Sequence, residues 1–219
     1  KNLLPMTVDG IKALNAAETW TGNTKTINGI TITLNDDGTI KVTGTATANT
    51  FTYIFSKAND IQYAPQFKGK ILSGCPSGGS ASTYRIRCVL FKTSSSSSEY
   101  RDGIDDDGNG VTIPNNPEYN YIRIAIRIGS GYQCPTAGLV FKPMIRLATD
   151  TDATFQPYAM TNLELTNVLQ YSSEIVTTGA GSSIAVGFYK FGKVVCVRFA
   201  NGYYTASANA SLFLIPLGY

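Results

Sequence analysis

The sequence is divided in two by Leu139-Val-Phe-Lys-Pro-Met-Ile-Arg-Leu147, which is followed by Asp150-Thr-Asp-Ala-Thr-Phe-Gln-Pro-Tyr158. The first run mixes apolar and basic residues in a strand-like run, but Lys142-Pro143 interrupts it. Because proline has no N–H for a strand ladder, this dipeptide predicts a strand edge or a bulge. Everything before Tyr158 is expected to form one β-domain, and everything after it a new unit. Four apolar members of the run are expected in the core: Val140, Met144, Ile145 and Leu147.

Composition favours β-structure over helix. The 219 residues suffice for one large sandwich or two smaller domains, and Gly, Tyr, Ser and Thr are abundant. The net charge of +3 is small and scattered, so no nucleic-acid partner is expected. No apolar run approaches the roughly 20 residues that a bilayer span requires, so we expect no membrane insertion.

Alternating residues predict the strands of the first part. Ile30–Leu34 and Ile40–Thr43 form a hairpin by period and by the intervening Asn-Asp-Asp-Gly turn. In Tyr121–Ile128, four isoleucines face one side while Tyr121, Arg123, Ala125 and Arg127 face the other. About eight such strands, with turns at this spacing, predict a two-sheet sandwich.

The second part begins with a predicted helix. Thr161 and Glu164 have the spacing of a capping box, and an apolar face of three residues follows them. Strand pattern then returns in three runs, Ile184–Tyr189, Lys193–Phe199 and Leu212–Ile215. We therefore expect a sandwich over residues 1–159, a short helical linker over 160–172, and over 173–219 the start of a second β-domain that continues past Tyr219.

An acidic stretch from Asp102 to Gly110 is the nearest approach to a metal motif. Asp105, Asp107 and Asn109 occupy the first, third and fifth places of a calcium loop. The place of the usual glutamate is taken by Asn116, and no helices are expected to flank the loop. The alternative is a solvated turn between strands, with no cofactor at all.

A basic face is the second candidate site. Arg85, Arg87, Arg123 and Arg127 occupy the polar sides of two predicted strands, with Tyr84 and Tyr121 near the strand ends. Guanidinium groups suit carboxylate or phosphate and tyrosine offers a rigid stacking surface, so the face suits an acidic glycan or wall polymer. The alternative is an ordinary exposed sheet face, which needs polar residues in any case.

Aromatic residues form a third candidate. Trp20, Phe51, Tyr53 and Tyr63 would make a platform on which a sugar stacks, or would simply belong to the core. Catalysis has little support, because the chain contains no histidine and its carboxylates cluster in one stretch. The four cysteines lack C-x-x-C spacing, and a disulfide between Cys75 and Cys134 stays open.

Three segments carry a resemblance to a known family. They are F-K-P-M-I-R, then D-x-T-F-Q-P-Y with T-N-x-E-L-T, and the hairpin from Gly29 to Thr47. Together they resemble the carbohydrate-binding-module-like jelly rolls of tail proteins from phages and prophages of Gram-positive bacteria. The resemblance implies an all-β, jelly-roll β-sandwich followed by a small, truncated β head domain.

The same resemblance implies a function. The chain would be a tail-fibre or receptor-binding protein that binds host cell-wall or surface glycans without catalysis. It would sit in the virion tail among other tail proteins, after assembly in the bacterial cytoplasm, as a homotrimer joined by the region after Thr161. Two alternatives are a structural tail or baseplate component without a ligand, and a carbohydrate-binding accessory module of a secreted glycosidase.

Overall fold

Antiparallel strands make up most of the computed structural model, which describes residues 1–95, 100–158, 170–177, 183–191 and 194–199. The chain divides into two compact units, residues 1–159 and residues 160–219. Among the described residues, unit 1 contains one short α-helix, one 3₁₀ helix and twelve strands, and unit 2 contains three strands. The predicted all-β class is therefore confirmed, whereas the jelly-roll connectivity stays a prediction.

The elements of unit 1, in chain order, are α1 (Val8–Leu14), β1 (Thr24–Ile27), β2 (Ile30–Leu34), β3 (Ile40–Gly44), β4 (Thr50–Phe55), β5 (Gln62–Tyr63), a 3₁₀ helix (Pro65–Phe67), β6 (Ile71–Ser73), β7 (Tyr84–Phe91), β8 (Tyr100–Asp106), β9 (Val111–Thr112), β10 (Tyr121–Ile128), β11 (Leu139–Phe141) and β12 (Met144–Arg146). Those of unit 2 are β13 (Gln170–Thr177), β14 (Ser183–Phe191) and β15 (Val194–Phe199).

Unit 1 is a sandwich whose core lies between opposed sheets. One layer contains a four-stranded sheet of order β1-β2-β3-β11 and a three-stranded sheet of order β12-β6-β9. The other layer is a five-stranded sheet of order β4-β10-β7-β8, in which β5 also pairs with β10. A single buried cluster joins both layers, with the isoleucines of β2 on one side and those of β10 on the other.

The two clearest sequence patterns form the predicted strands. The hairpin of β2 and β3 has Ile30, Ile32 and Leu34 buried and the intervening threonines half-buried. All four isoleucines of β10 are buried, whereas Arg123 and Arg127 on its other face are half-buried. A residue period of two thus places one side of each strand in the core, as the sequence predicts.

Lys142 and Pro143 join the two sheets of the first layer. β11 pairs with β3, and after these two residues β12 pairs with β6. The Lys142 N–H donates to the Gly74 carbonyl oxygen (2.8 Å), so the chain is bonded to the next strand while it changes sheets. The predicted interruption is confirmed. The prediction that Val140 and Leu147 belong to the core is wrong, because their side chains are 40% and 51% exposed on the outer side.

The end of helix α1 is hydrogen-bonded to β4, an edge strand of the five-stranded sheet. Its N-cap, Thr7, accepts a hydrogen bond from the Gly10 N–H (3.1 Å). Just past its end, the buried Asn15 side chain donates to the Tyr53 carbonyl oxygen (2.8 Å) and accepts from the Tyr53 N–H (3.0 Å). Within the described residues, no helix is both long and apolar enough to cross a membrane.

Two differences from the sequence predictions concern element boundaries. Residues 102–106, expected in a loop, belong to β8, where pairing with β7 outweighs the low strand propensity of Asp and Gly. Strand β13 begins at Gln170, within the expected helical linker. The rest of that linker and the run Leu212–Ile215 lie outside the described residues. β14 and β15 pair as a hairpin where two of the strand runs were predicted.

Unit 1 is expected to fold without unit 2. The buried cluster that joins its layers is made of residues from Leu4 to Ile145. A fragment of residues 1–160 should therefore give a β-type circular dichroism spectrum and a single cooperative melting transition. A fragment with the spectrum of a disordered chain would contradict this expectation.

Candidate functional site

A groove of about 330 Å³ lies on the outer face of the five-stranded sheet. Three neighbouring strands, β4, β10 and β7, provide its lining. That lining consists of Phe51, Tyr53, Arg87, Val89, Phe91, Arg123 and Ala125. The groove therefore combines aromatic walls with two guanidinium groups.

Strand register explains why these side chains converge. Ala125, in the central strand β10, lies opposite Arg87 on one side and Tyr53 on the other. Its neighbour on the same face, Arg123, lies opposite Val89. Because alanine is the smallest side chain in this row, it leaves a depression between the larger residues of the flanking strands.

Aromatic rings hold Arg123 in place. Its guanidinium carbon lies 5.0 Å from the ring centroid of Phe91 and 5.7 Å from that of Tyr53. Both distances are within the range of cation–π attraction. Asn15 fixes the backbone of Tyr53 on the edge strand, so this wall of the groove is anchored to the end of α1.

The side chain of Arg87 packs closely against Gly103, which has no side chain of its own. A Cβ atom on Gly103 of β8 would lie 2.6 Å from Nε and 2.9 Å from Nη2 of Arg87. The guanidinium group thus rests against the bare backbone of the neighbouring strand. Neither Arg87 nor Arg123 forms an ion pair with any carboxylate in the described part of the chain.

The other two predicted arginines are engaged by the protein itself. Nη1 of Arg85 lies 2.8 Å from Oδ2 of Asp105, and the Arg85 side chain is only 8% exposed. Burial raises the pKa of Asp105 above its usual value, although the positive charges of Arg85, Arg87 and Arg127 oppose that rise. Arg127 donates to the Ala81 carbonyl oxygen and to Oδ1 of Asn49 (2.9 Å).

The predicted tyrosine and tryptophan lie beyond the groove. Tyr121 packs edge-on against Tyr63, with ring centroids 5.4 Å apart, farther along β10. Trp20 lies against Lys25 of β1, whose Nζ is 5.0 Å from the indole centroid, in the opposite layer. The structure therefore joins Phe51 and Tyr53 to the arginines but does not bring Trp20 to them.

The residues of the predicted calcium loop are placed on a strand end and a turn. Asp105 pairs with Arg85 on β8, whereas Oδ1 of Asp107 accepts a hydrogen bond from Nδ2 of Asn109 (3.0 Å). No group of three or more acidic, cysteine or histidine side chains suited to a metal occurs among the described residues. Calcium binding stays a prediction, which a calcium-dependent melting temperature would test.

Sequence reasoning missed the carboxylate that organises this region. Asp106 is fully buried, and its Oδ2 accepts a hydrogen bond from the Cys75 N–H (2.8 Å). Its Oδ1 accepts from the N–H groups of Gly108 (3.0 Å) and Gly110 (2.7 Å). An Asp followed by Gly at two and four residues is a signal that could have found it, because a short side chain bonds such turns.

The thiols of unit 1 are expected to be inert in the folded chain. Cys75 and Cys134 are free and buried, so the disulfide left open by the sequence is not formed. Burial raises the pKa of Cys75 to about 12, which lowers its thiolate fraction at pH 8 roughly a thousandfold. Iodoacetamide should modify Cys75, Cys88 and Cys134 only after unfolding in urea, as mass spectrometry of peptides would detect. Rapid native labelling of Cys75 would contradict this burial.

Comparisons of the chain with models of known protein families, with curated proteins and with solved structures find no match.

Proposed function

We propose that the chain is a tail-fibre or receptor-binding protein of a phage or prophage, and that the groove of unit 1 binds host-surface glycans without catalysis. The observation that supports the binding role is the groove itself, in which Arg123, held between Phe91 and Tyr53, and Arg87 line an outer sheet face. The assignment to a phage tail is supported by the resemblance of the strand-ending motif and of the early hairpin.

The lining suits a sugar. An aromatic ring offers an apolar surface to the C–H face of a pyranose, and guanidinium N–H groups donate to its oxygens. Phe51 is 39% exposed, so part of its ring is available to a ligand. No carboxylate, histidine or cysteine occurs among the described lining residues, so the groove supplies hydrogen-bond donors rather than an acid–base pair.

A glycan array probed with the 219-residue chain tests this proposal. Phe51→Ala should weaken binding to any positive glycan by about tenfold or more, because buried aromatic contacts dominate such sites. Val140→Ala is the matched control, since Val140 is 40% exposed on the opposite layer. An array without any positive glycan would favour a structural tail component. If both variants weaken binding equally, the binding site lies outside the groove.

We also propose that the protein assembles as a homotrimer through the region after Thr161. The described part of unit 2 is a three-stranded sheet of order β13-β14-β15. A sheet this small needs a packing partner to cover its apolar face, and other copies of the chain would provide one. Light scattering on the 219-residue chain and on the fragment 1–160 would compare their oligomeric states. A monomeric longer chain would overturn assembly through this region. A dimer would keep assembly through this region but would overturn the trimer and the family analogy that favours it.

A further inference from the structure

We infer that the groove takes an acidic glycan, whose anionic oxygens lie between the guanidinium groups of Arg87 and Arg123. This inference rests on the proposed function, because it names the class of glycan for the same groove. Of the four arginines on the basic face, Arg87 and Arg123 are the two that are available to a ligand.

Arg85 and Arg127 are already engaged within the protein. Arg85 is buried against Asp105 with an N–O distance of 2.8 Å, so its charge is already neutralised within the protein. Arg127 is bonded to the Ala81 carbonyl oxygen and to Asn49, and its guanidinium carbon lies 5.9 Å from the Phe51 ring centroid. These two side chains hold the end of the sheet together and leave few donors for a ligand.

The two remaining arginines, Arg87 and Arg123, lie on adjacent strands of the same sheet face. Arg87 lies opposite Ala125, and Arg123 lies opposite Val89, so the two arginines are diagonal neighbours on adjacent strands. Such neighbours have Cβ atoms about 7 Å apart, which allows two long side chains to approach one anion from different sides. Both line the groove, and neither forms an ion pair with a described carboxylate.

Neighbouring groups orient both arginines before a ligand binds. Arg123 is held between Phe91 and Tyr53, and Arg87 rests against Gly103. A guanidinium group that is already oriented loses less side-chain entropy when it binds a carboxylate or a phosphate. Two oriented cations side by side also repel each other in the free protein, and an anion between them removes that repulsion.

Titration calorimetry with three ligands of similar length tests the inference on the 219-residue chain. The carboxylate arm is a galacturonic acid trimer, the phosphate arm is a short poly(glycerol phosphate), and the neutral arm is a galactose trimer. We expect at least one acidic ligand to bind more than about tenfold tighter than the neutral one. Its affinity should fall as salt rises, because exposed charge contacts are screened over about 8–10 Å at physiological salt.

Charge-removing variants locate the contact. Arg87→Gln and Arg123→Gln should each weaken the acidic ligand by about tenfold or more. Lys41→Gln on β3, an exposed residue of the opposite layer, removes the same charge and should change affinity less than about twofold. Equal losses in all three variants would show a diffuse charge effect and would overturn the inference.

The outcomes separate the inference from the proposed function. Neutral binding that is as tight as acidic binding and depends on Phe51 would overturn the acidic preference but keep the glycan-binding role. Failure of all three ligands, together with an empty glycan array, would overturn both. Preference for one acidic arm identifies whether carboxylate or phosphate oxygens occupy the space between the arginines.

Discussion

Gly74→Ala is expected to lower the free energy of unfolding of unit 1 by more than about 4 kcal/mol, the largest effect of any substitution considered for this chain. A Cβ atom at this position would lie 1.9 Å from the Lys142 carbonyl oxygen and 2.3 Å from its carbonyl carbon. Both atoms belong to the backbone, so no side-chain rotation relieves the clash. Separating the segments would break the Lys142 N–H bond to the Gly74 carbonyl oxygen, where the chain changes sheets.

The control for this substitution is Gly22→Ala. Gly22 also has a positive φ (+58°), but a Cβ atom there would meet nothing within 4 Å. Its cost is the left-handed backbone penalty alone, about 1–2 kcal/mol. Trp20 is the only tryptophan and belongs to unit 1, so its fluorescence during urea unfolding measures both variants in the complete chain. Equal losses would show that close contact at Gly74 is not what stabilises this junction.

Asp106→Asn is expected to cost about 2–3 kcal/mol in the same measurement. The carboxylate is fully buried and accepts three backbone N–H bonds, from Cys75, Gly108 and Gly110. An amide keeps one oxygen and turns its NH₂ group toward at least one of these donors. A buried N–H without an acceptor costs about 1–3 kcal/mol, and the loss of charge weakens the bonds that remain.

The neighbouring Asp107→Asn is a matched control. Oδ1 of Asp107 accepts one bond from the Asn109 side chain, and that bond is exposed. Exposed substitutions of this kind stay within about 0.5 kcal/mol. If the two variants unfold at the same urea concentration, then the turn from Asp106 to Gly110 does not depend on its buried carboxylate.

Local patterns were sufficient to predict the strands but not their neighbours. The β2–β3 hairpin and β10 follow from alternation and turn chemistry, which act within a few residues. The pairing order β4-β10-β7-β8 joins segments far apart in the sequence, and no local pattern contains it. The arginines could therefore be assigned to strand faces from the sequence. The walls of the groove could not be predicted, because they are formed by strands whose pairing is not contained in a local pattern.

Local pattern was also insufficient for the acidic segment, residues 102–110. Asp and Gly are poor strand residues, so residues 102–110 are typical of a loop. Pairing of β8 with β7 places Asp105 beside Arg85 and places Asp106 in the interior. Successive residues of a strand face opposite sides, and for this reason Asp105 and Asp106 have different roles. This difference cannot be predicted until the segment is known to be a strand.

The position of the first residues has a consequence for engineering. The Leu3 N–H donates to the Ile145 carbonyl oxygen (2.7 Å), and the amino group of Lys1 lies 3.3 Å from Oδ2 of Asp150. Residue 1 and residue 150 are therefore neighbours in space, although almost the whole sandwich separates them along the chain. A short peptide could close unit 1 into a ring, and circular permutants opened at an exposed turn should retain the groove, because none of its lining residues lies near that junction in the sequence.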